Sequence, residues 1–186
     1  TLQHLKRDFP EAARPVTVVG RLRRLRWHGG SCFADLADET EQLQLLFQRD
    51  RLGATDYDRW LELLDVGDII EASGETMRTR RGEPTVTVNR VRLLTKALRP
   101  LPEKWHGLSD IEVRYRHREL DLLANPGVKT IFTVRARILK ALREFLDQQR
   151  FLEVETPILQ SVPSGALAEP FRTHHNALKA DFYLRI

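Results

Sequence analysis

The segment VVGRLRRLRWHGGSCFADLADE, residues 18–39, places four arginines within six residues, then a Gly-Gly turn, then an aromatic out of phase. Alternate residues of an extended chain share a side, so Cys32, Ala34 and Leu36 form an apolar side and Phe33 falls opposite, with Asp35. Before the turn, Val16, Val18, Gly20 and Leu22 alternate; the phase then slips to Leu25 and Trp27. A slip beside a glycine marks a bulge that bends the strand.

Working outward, QLQLLFQ (42–48) alternates Leu43, Leu45 and Phe47 on one side and completes a hairpin with residues 32–39. TDYDRWLELLDVG reads as a helix whose buried face holds Trp60, Leu61 and Leu64, ended by Val66-Gly67-Asp68. DIIEASGETMRT (68–79) and PTVTVNRVRLLTK (84–96) are two further strands joined by the turn RRGE. Three strands, a short helix and two strands in about 80 residues is the element order of the OB-fold, a curled five-stranded barrel that binds oligonucleotides. A bent first strand suits such a barrel, because that strand serves both of its sides.

The remainder of the chain reads differently. ALRPLPEKWHGLSD (97–110) is a linker by its prolines and glycine. DIEVRYRHRELDLLANP is a short helix ending near Asn125, where Asn125-Pro126 supplies a cap and a first-turn proline for a long helix over 127–149. That helix carries Ile131, Val134, Ile138, Leu142 and Phe145 at steps of three and four, with Phe132, Leu139 and Leu146 beside them. The apolar surface is wider than one stripe and calls for more than one neighbour. FLEVETPIL (151–159) reads as a short edge strand with a proline inside, THHNALKA as a strand and turn, and DFYLRI as a strand. His174 and His175, adjacent on a strand, point to opposite faces and do not suit one metal; no metal site is expected.

Composition sets the limits. The 186 residues carry a net charge of +4, with 41% hydrophobic and 30% charged residues. No apolar run approaches the ~20 residues of a membrane helix, and the first residues have no secretory pattern. A single cysteine excludes an internal disulfide and fits a reducing, cytoplasmic setting; Cys32 itself reads as a small buried residue. Charge is segregated: residues 1–34 hold seven Lys/Arg against two Asp/Glu, residues 35–75 three against twelve, and residues 76–98 six against one. If the fold joins the two basic segments, they form a surface for phosphates.

The strand phase then selects a site. On the outer face of the hairpin lie Phe33 and Asp35 with Gln42, Gln44, Leu46 and Gln48. Phe33 is a platform for a stacked base, Gln44 can read a base edge, Glu83 in the RTRRGEP turn can accept from an amino or imino group, and Arg26 can stack or pair with phosphate. Each alone has an ordinary explanation: a loop covering the ring, water around the polar groups. Gathered on one face between basic loops, they argue for a single-stranded nucleic acid ligand.

LLTKALRPLPEKWHGLSDIEVRYRHRELDLL resembles the segment joining the two domains of class II lysyl-tRNA synthetases. FLEVETPIL resembles their motif 1, and SGALAEPFRTHHNALKADFYLRI the stretch before motif 2. The resemblance runs from about Val16 to Ile186. It implies an α+β chain: an OB-fold anticodon-binding domain over 1–97, a linker and short helix over 98–125, and the first helix and strands of the antiparallel synthetase domain over 126–186. It maps anticodon contacts onto Arg26, Phe33, Gln44 and Glu83. It implies a homodimer interface that includes Ile138, Leu142 and Pro157, and a loop near the lysine pocket at Gly165 and Ala166. The partner it implies is tRNA(Lys), and the parent activity is ligation of lysine to that tRNA with ATP and Mg2+. No catalytic residue is assigned, because the phosphate-clamping arginines and metal-binding carboxylates of that family fall after the point matching Ile186. The 186 residues are therefore expected to be an N-terminal portion that binds tRNA without catalysing and holds no cofactor. Ser164, Glu169, Glu119 and Lys179 depart from the family pattern; Glu169 and Lys179 reverse charge and compensate each other if close. The competing reading is a freestanding OB-fold module, or a paralogue without aminoacylation activity.

Overall fold

The computed structural model describes residues 1–102, 108–163 and 168–185, which form two compact units, 1–125 and 126–186. Unit one opens with α1 (Leu2–Arg7) and continues through β1 (Pro15–His28), β2 (Ser31–Ala37), β3 (Gln42–Gln48), α2 (Arg49–Leu52), α3 (Ala54–Leu63), β4 (Ile69–Arg78) and β5 (Pro84–Thr95). The strands close a barrel in the order β1-β2-β3-β5-β4, with β3 and β5 parallel and the other pairs antiparallel. This is the five-stranded OB arrangement expected from the element order. The bulge is also present: the β1–β2 register slips between Leu22 and Arg24, so β1 pairs with β4 on one side and with β2 beyond the bend.

The interior is built from alternate residues. Cys32, Ala34, Leu36, Leu43, Leu45 and Phe47 are all at most 1% exposed, and Leu22, Ile70, Val86 and Val88 complete the filling. Each large aliphatic or aromatic side chain removed from water in this way contributes about 1.5–3 kcal/mol. Burial pushes the Cys32 thiol up to about 11, so it serves as packing and stays protonated. At Gly74 the β4 backbone passes so close to β5 that a Cβ would lie 2.0 Å from the Thr87 carbonyl oxygen.

Helices stopper the barrel. Leu2 of α1 and the following Phe9 join the core. Asp38, in the β2–β3 turn, accepts the Leu2 N–H at 2.8 Å, while its other oxygen takes the Thr40 N–H, Thr40 hydroxyl and Glu41 N–H. In α3 the buried face differs from the expected one. Tyr57 is 2% and Leu64 4% exposed, whereas Leu61 is 43% exposed. The helix ends at Leu63, and Leu64 enters the core from extended backbone, so the face is set by Tyr57 and Trp60. The Tyr57 hydroxyl donates to the Gly29 carbonyl at 3.1 Å and its ring meets the Trp27 ring edge-on.

The single helix expected after the linker is two, α4 (Ile111–Arg116) and α5 (Arg118–Ala124), broken at His117. Fully buried Asp121 ties them together, accepting from Arg114 Nε at 2.8 Å, from Arg118 and from Asn125 Nδ2 at 2.7 Å.

Unit two holds α6 (Pro126–Gln148) and a sheet of β6 (Leu159–Gln160), β8 (Ala180–Leu184) and β7 (Arg172–His175), in that order. Of the strand expected over 151–159 only Leu159 lies in the ladder to β8, with Ile158 accepting the Arg185 N–H at 2.9 Å beside it, and Pro157 offers no ladder donor. His174 lies against Asp181 Oδ1 at 2.8 Å, while His175 Nδ1 accepts the Leu178 N–H at 3.2 Å. Among the described residues no ion pair links Glu169 to Lys179, so their charges do not compensate. Lys179 instead sits at the β7–β8 turn with a φ of 50°, a left-handed position that Asn and Asp occupy more readily than lysine.

Candidate nucleic-acid interface

Because β1, β2, β3, β5 and β4 are successive neighbours, residues facing outward align in rows across the barrel. One row runs Arg26, Phe33, Leu46, Thr87, Glu75; the next runs Arg24, Asp35, Gln44, Thr85, Met77. The floor of this face is dry: Leu46, Asp35, Thr85 and Thr87 are each at most 7% exposed. Phe33 and Gln44 are only partly covered, and Glu83 is exposed. The aromatic that breaks phase in the sequence thus lies on the outer face of the barrel, only partly covered.

The polar groups around the ring are held in place. Both terminal guanidinium nitrogens of Arg26 donate to the Asp35 carboxylate, at 3.2 and 2.9 Å, and Arg24 Nε stands 3.9 Å from the same group. The Thr85 hydroxyl lies 3.0 Å from Gln44 Oε1 and 3.1 Å from the Glu83 carbonyl oxygen. Glu83 thereby connects to the same row through its backbone, with its carboxylate left in solvent at the β4–β5 turn. Arg80 and Arg81 in that turn are exposed.

The fold brings Arg26, Phe33 and Gln44 into adjacent rows of one face and sets Glu83 two residues from Thr85 at its edge. The arginine cluster departs from expectation. Its members lie within β1 rather than in a loop, and all four are engaged with the protein itself: Arg21 with the Gly67 carbonyl at 2.7 Å, Arg23 with the Leu123 carbonyl at 2.6 Å, Arg24 and Arg26 with Asp35. Burial holds the Arg23 guanidinium below its ordinary pKa. The acidic segment is likewise drawn into internal pairs, Arg51 with Glu75 and Lys96 with Asp65 and Asp68. Sequence reasoning missed Thr85 and the anchoring role of Asp35. The alternation in PTVTV does place Thr85 and Thr87 opposite Val86 and Val88, a signal available in the strand phase.

In unit two, Ile138 and Leu142 are 61% and 53% exposed, and Pro157 is exposed. Gly165 and Ala166 lie outside the described residues. Among the described residues no group of three or more His, Cys, Asp or Glu side chains is placed to hold a metal ion, and no helix is long and apolar enough to cross a membrane.

Residues 16–94 match the family described as OB-fold nucleic acid binding domain, and residues 110–186 match tRNA synthetases class II (D, K and N). Named relatives are lysine--tRNA ligases. That of Syntrophomonas wolfei is 48% identical over 185 residues, 99% of this chain and 37% of the relative. Those of Moorella thermoacetica and Roseiflexus castenholzii are each 53% identical over 92% of this chain and 35% of their own length. The chain therefore spans little more than a third of the length of these relatives. The chain thus joins, in succession, an OB-fold nucleic acid binding domain and a match to class II tRNA synthetases, and it is a homologue of lysine–tRNA ligases along nearly every residue.

Proposed function

We propose that this chain supplies the anticodon-binding part of a lysine–tRNA ligase, with the outer face around Phe33 as the site where an unpaired anticodon base stacks. The observation that carries the reading is the partly covered Phe33 ring flanked by Arg26 and Gln44 on a face whose floor is dry. Stacking on such a ring is worth about 1–3 kcal/mol per base and is indifferent to sequence; Gln44 and Glu83 add choice through the base edge. The whole enzyme activates lysine with ATP and Mg2+ and transfers it to tRNA(Lys) in the cytoplasm. The described residues offer no metal-binding cluster, so no step of that chemistry is assigned to them. The apolar surface of α6, with Ile138 and Leu142, together with Pro157, is proposed to meet a second copy in a homodimer.

The test is a titration of this chain with the anticodon stem-loops of lysine and aspartate tRNAs at one fixed salt concentration, since phosphate contacts alone would bind both. Preference for the lysine stem-loop is the expected result. Equal affinity for the two would reduce the face to a non-selective single-strand site.

A further inference from the structure

We propose that Thr85 is a positioning residue that fixes which end of the Gln44 amide faces the ligand, and so makes this face select a base edge bearing a carbonyl oxygen. The inference rests on the proposed anticodon site and adds to it a specificity determinant beneath the contact surface.

Thr85 is fully buried on the outer side of β5, directly opposite Gln44 in the β3–β5 register. Its hydroxyl has one proton and two acceptors in reach, Gln44 Oε1 at 3.0 Å and the Glu83 carbonyl at 3.1 Å. The Glu83 carbonyl already receives the Thr79 N–H at 3.0 Å. Gln44 Oε1 is the nearer of the two and can only accept, so with the amide as the structure holds it the proton goes to Oε1 and the amide nitrogen with its two hydrogens is turned away from the floor. An outward NH2 donates; it pairs with a carbonyl such as that of uracil and meets the amino group of cytosine donor to donor. Reversing the amide would present an acceptor and invert the preference.

The experiment uses the 186-residue chain and four stem-loops: one with a UUU anticodon and three with a single anticodon uridine replaced by cytidine. Wild type is expected to disfavour cytidine at one position by about tenfold or more, the scale of one well-made base-edge contact. Thr85→Val keeps the shape and loses the hydroxyl, and should remove most of that ratio while still binding the UUU loop within about tenfold of wild type. Thr85→Ser should restore the ratio. A Thr85→Val chain that discriminates as wild type, or one that loses affinity equally for all four loops, overturns the proposal; the second pattern is that of a purely structural residue. Phe33→Ala in the same titration separates the two levels. If it leaves all four affinities unchanged, the site itself is misplaced. If it weakens all four while Thr85→Val leaves the ratio intact, only the role of Thr85 fails.

Discussion

Arg26 and Asp35 face each other across neighbouring strands with two guanidinium nitrogens on two carboxylate oxygens, at 3.2 and 2.9 Å, directly beside Phe33. The pair places a cation at the edge of the ring and neutralises it at the same time. Asp35→Asn keeps the shape and removes the compensation. We expect a stability loss of about 1–2 kcal/mol, below the cost of breaking a fully buried pair, because the Arg26 side chain is 31% exposed and can rehydrate. Stem-loop binding should at the same time become more salt-sensitive, by about one additional phosphate contact in the slope of log affinity against log salt. Denaturant melts and a salt series check the two halves; an unchanged slope would mean that Arg26 lies too far from the backbone of the nucleic acid.

Asp38 gives a pH prediction. Burial raises its pKa, but the hydrogen bonds from the Thr40 hydroxyl and from the Leu2, Thr40 and Glu41 N–H groups outweigh it and bring the value to about 2, against an ordinary 3.8. A depressed carboxylate pKa stabilises the fold above the unfolded value and loses that contribution as pH falls through the folded one. Wild type should therefore exceed Asp38→Asn in stability by an amount that is full above about pH 4 and gone near pH 2. Urea midpoints of both proteins across that range test it; a difference that does not change with pH would place the effect in shape rather than charge.

Gly74→Ala should be among the most damaging single-methyl changes available in the barrel, because the added carbon would sit 2.0 Å from the Thr87 carbonyl oxygen. Backbone of both strands must move, and the loss should be about 3 kcal/mol or more. Gly82→Ala is the comparison: it has a φ of 84° but open space around it, and should cost about 1 kcal/mol. Equal melting temperatures for the two variants would show that β4 and β5 are less tightly apposed than described.

The barrel could be read from residues 16–96 because its interior demands strict alternation, and Cys32, Ala34, Leu36 against Leu43, Leu45, Phe47 leaves one choice of inner face. The outward placing of Phe33 follows from the same count. What the arginines do could not be read in that way. Arg21 and Arg23 bond to carbonyls of Gly67 and Leu123, and Arg26 to a carboxylate on the next strand; those partners are defined only once the barrel has closed. The same holds for α1, six residues long, whose Leu2 is buried because Asp38 anchors its first turn from a distant hairpin. Residues 151–159 read as a strand from β-branched and aromatic content, but a strand needs a neighbour, and among the described residues the ladder to β8 takes in Leu159 and Gln160, with Ile158 adding one bond from the Arg185 N–H.

The exposed apolar face of α6 yields an assembly prediction. Leu142 is 53% exposed and Ile138, one turn earlier on the same face, 61%. Leu142→Asp should shift a dimer of this chain to monomer in sedimentation, with the barrel unaffected. A wild-type chain that sediments as a monomer at all concentrations tested would remove α6 from the proposed interface.

The central claim is that the Phe33 ring carries an unpaired anticodon base. Its most direct test is the affinity of Phe33→Ala for the lysine anticodon stem-loop, measured beside Phe33→Trp and with a melt confirming that each is folded. The account predicts a loss of about 1–3 kcal/mol for alanine and near-retention for tryptophan, which keeps a flat face. Alanine binding as tightly as wild type would contradict it.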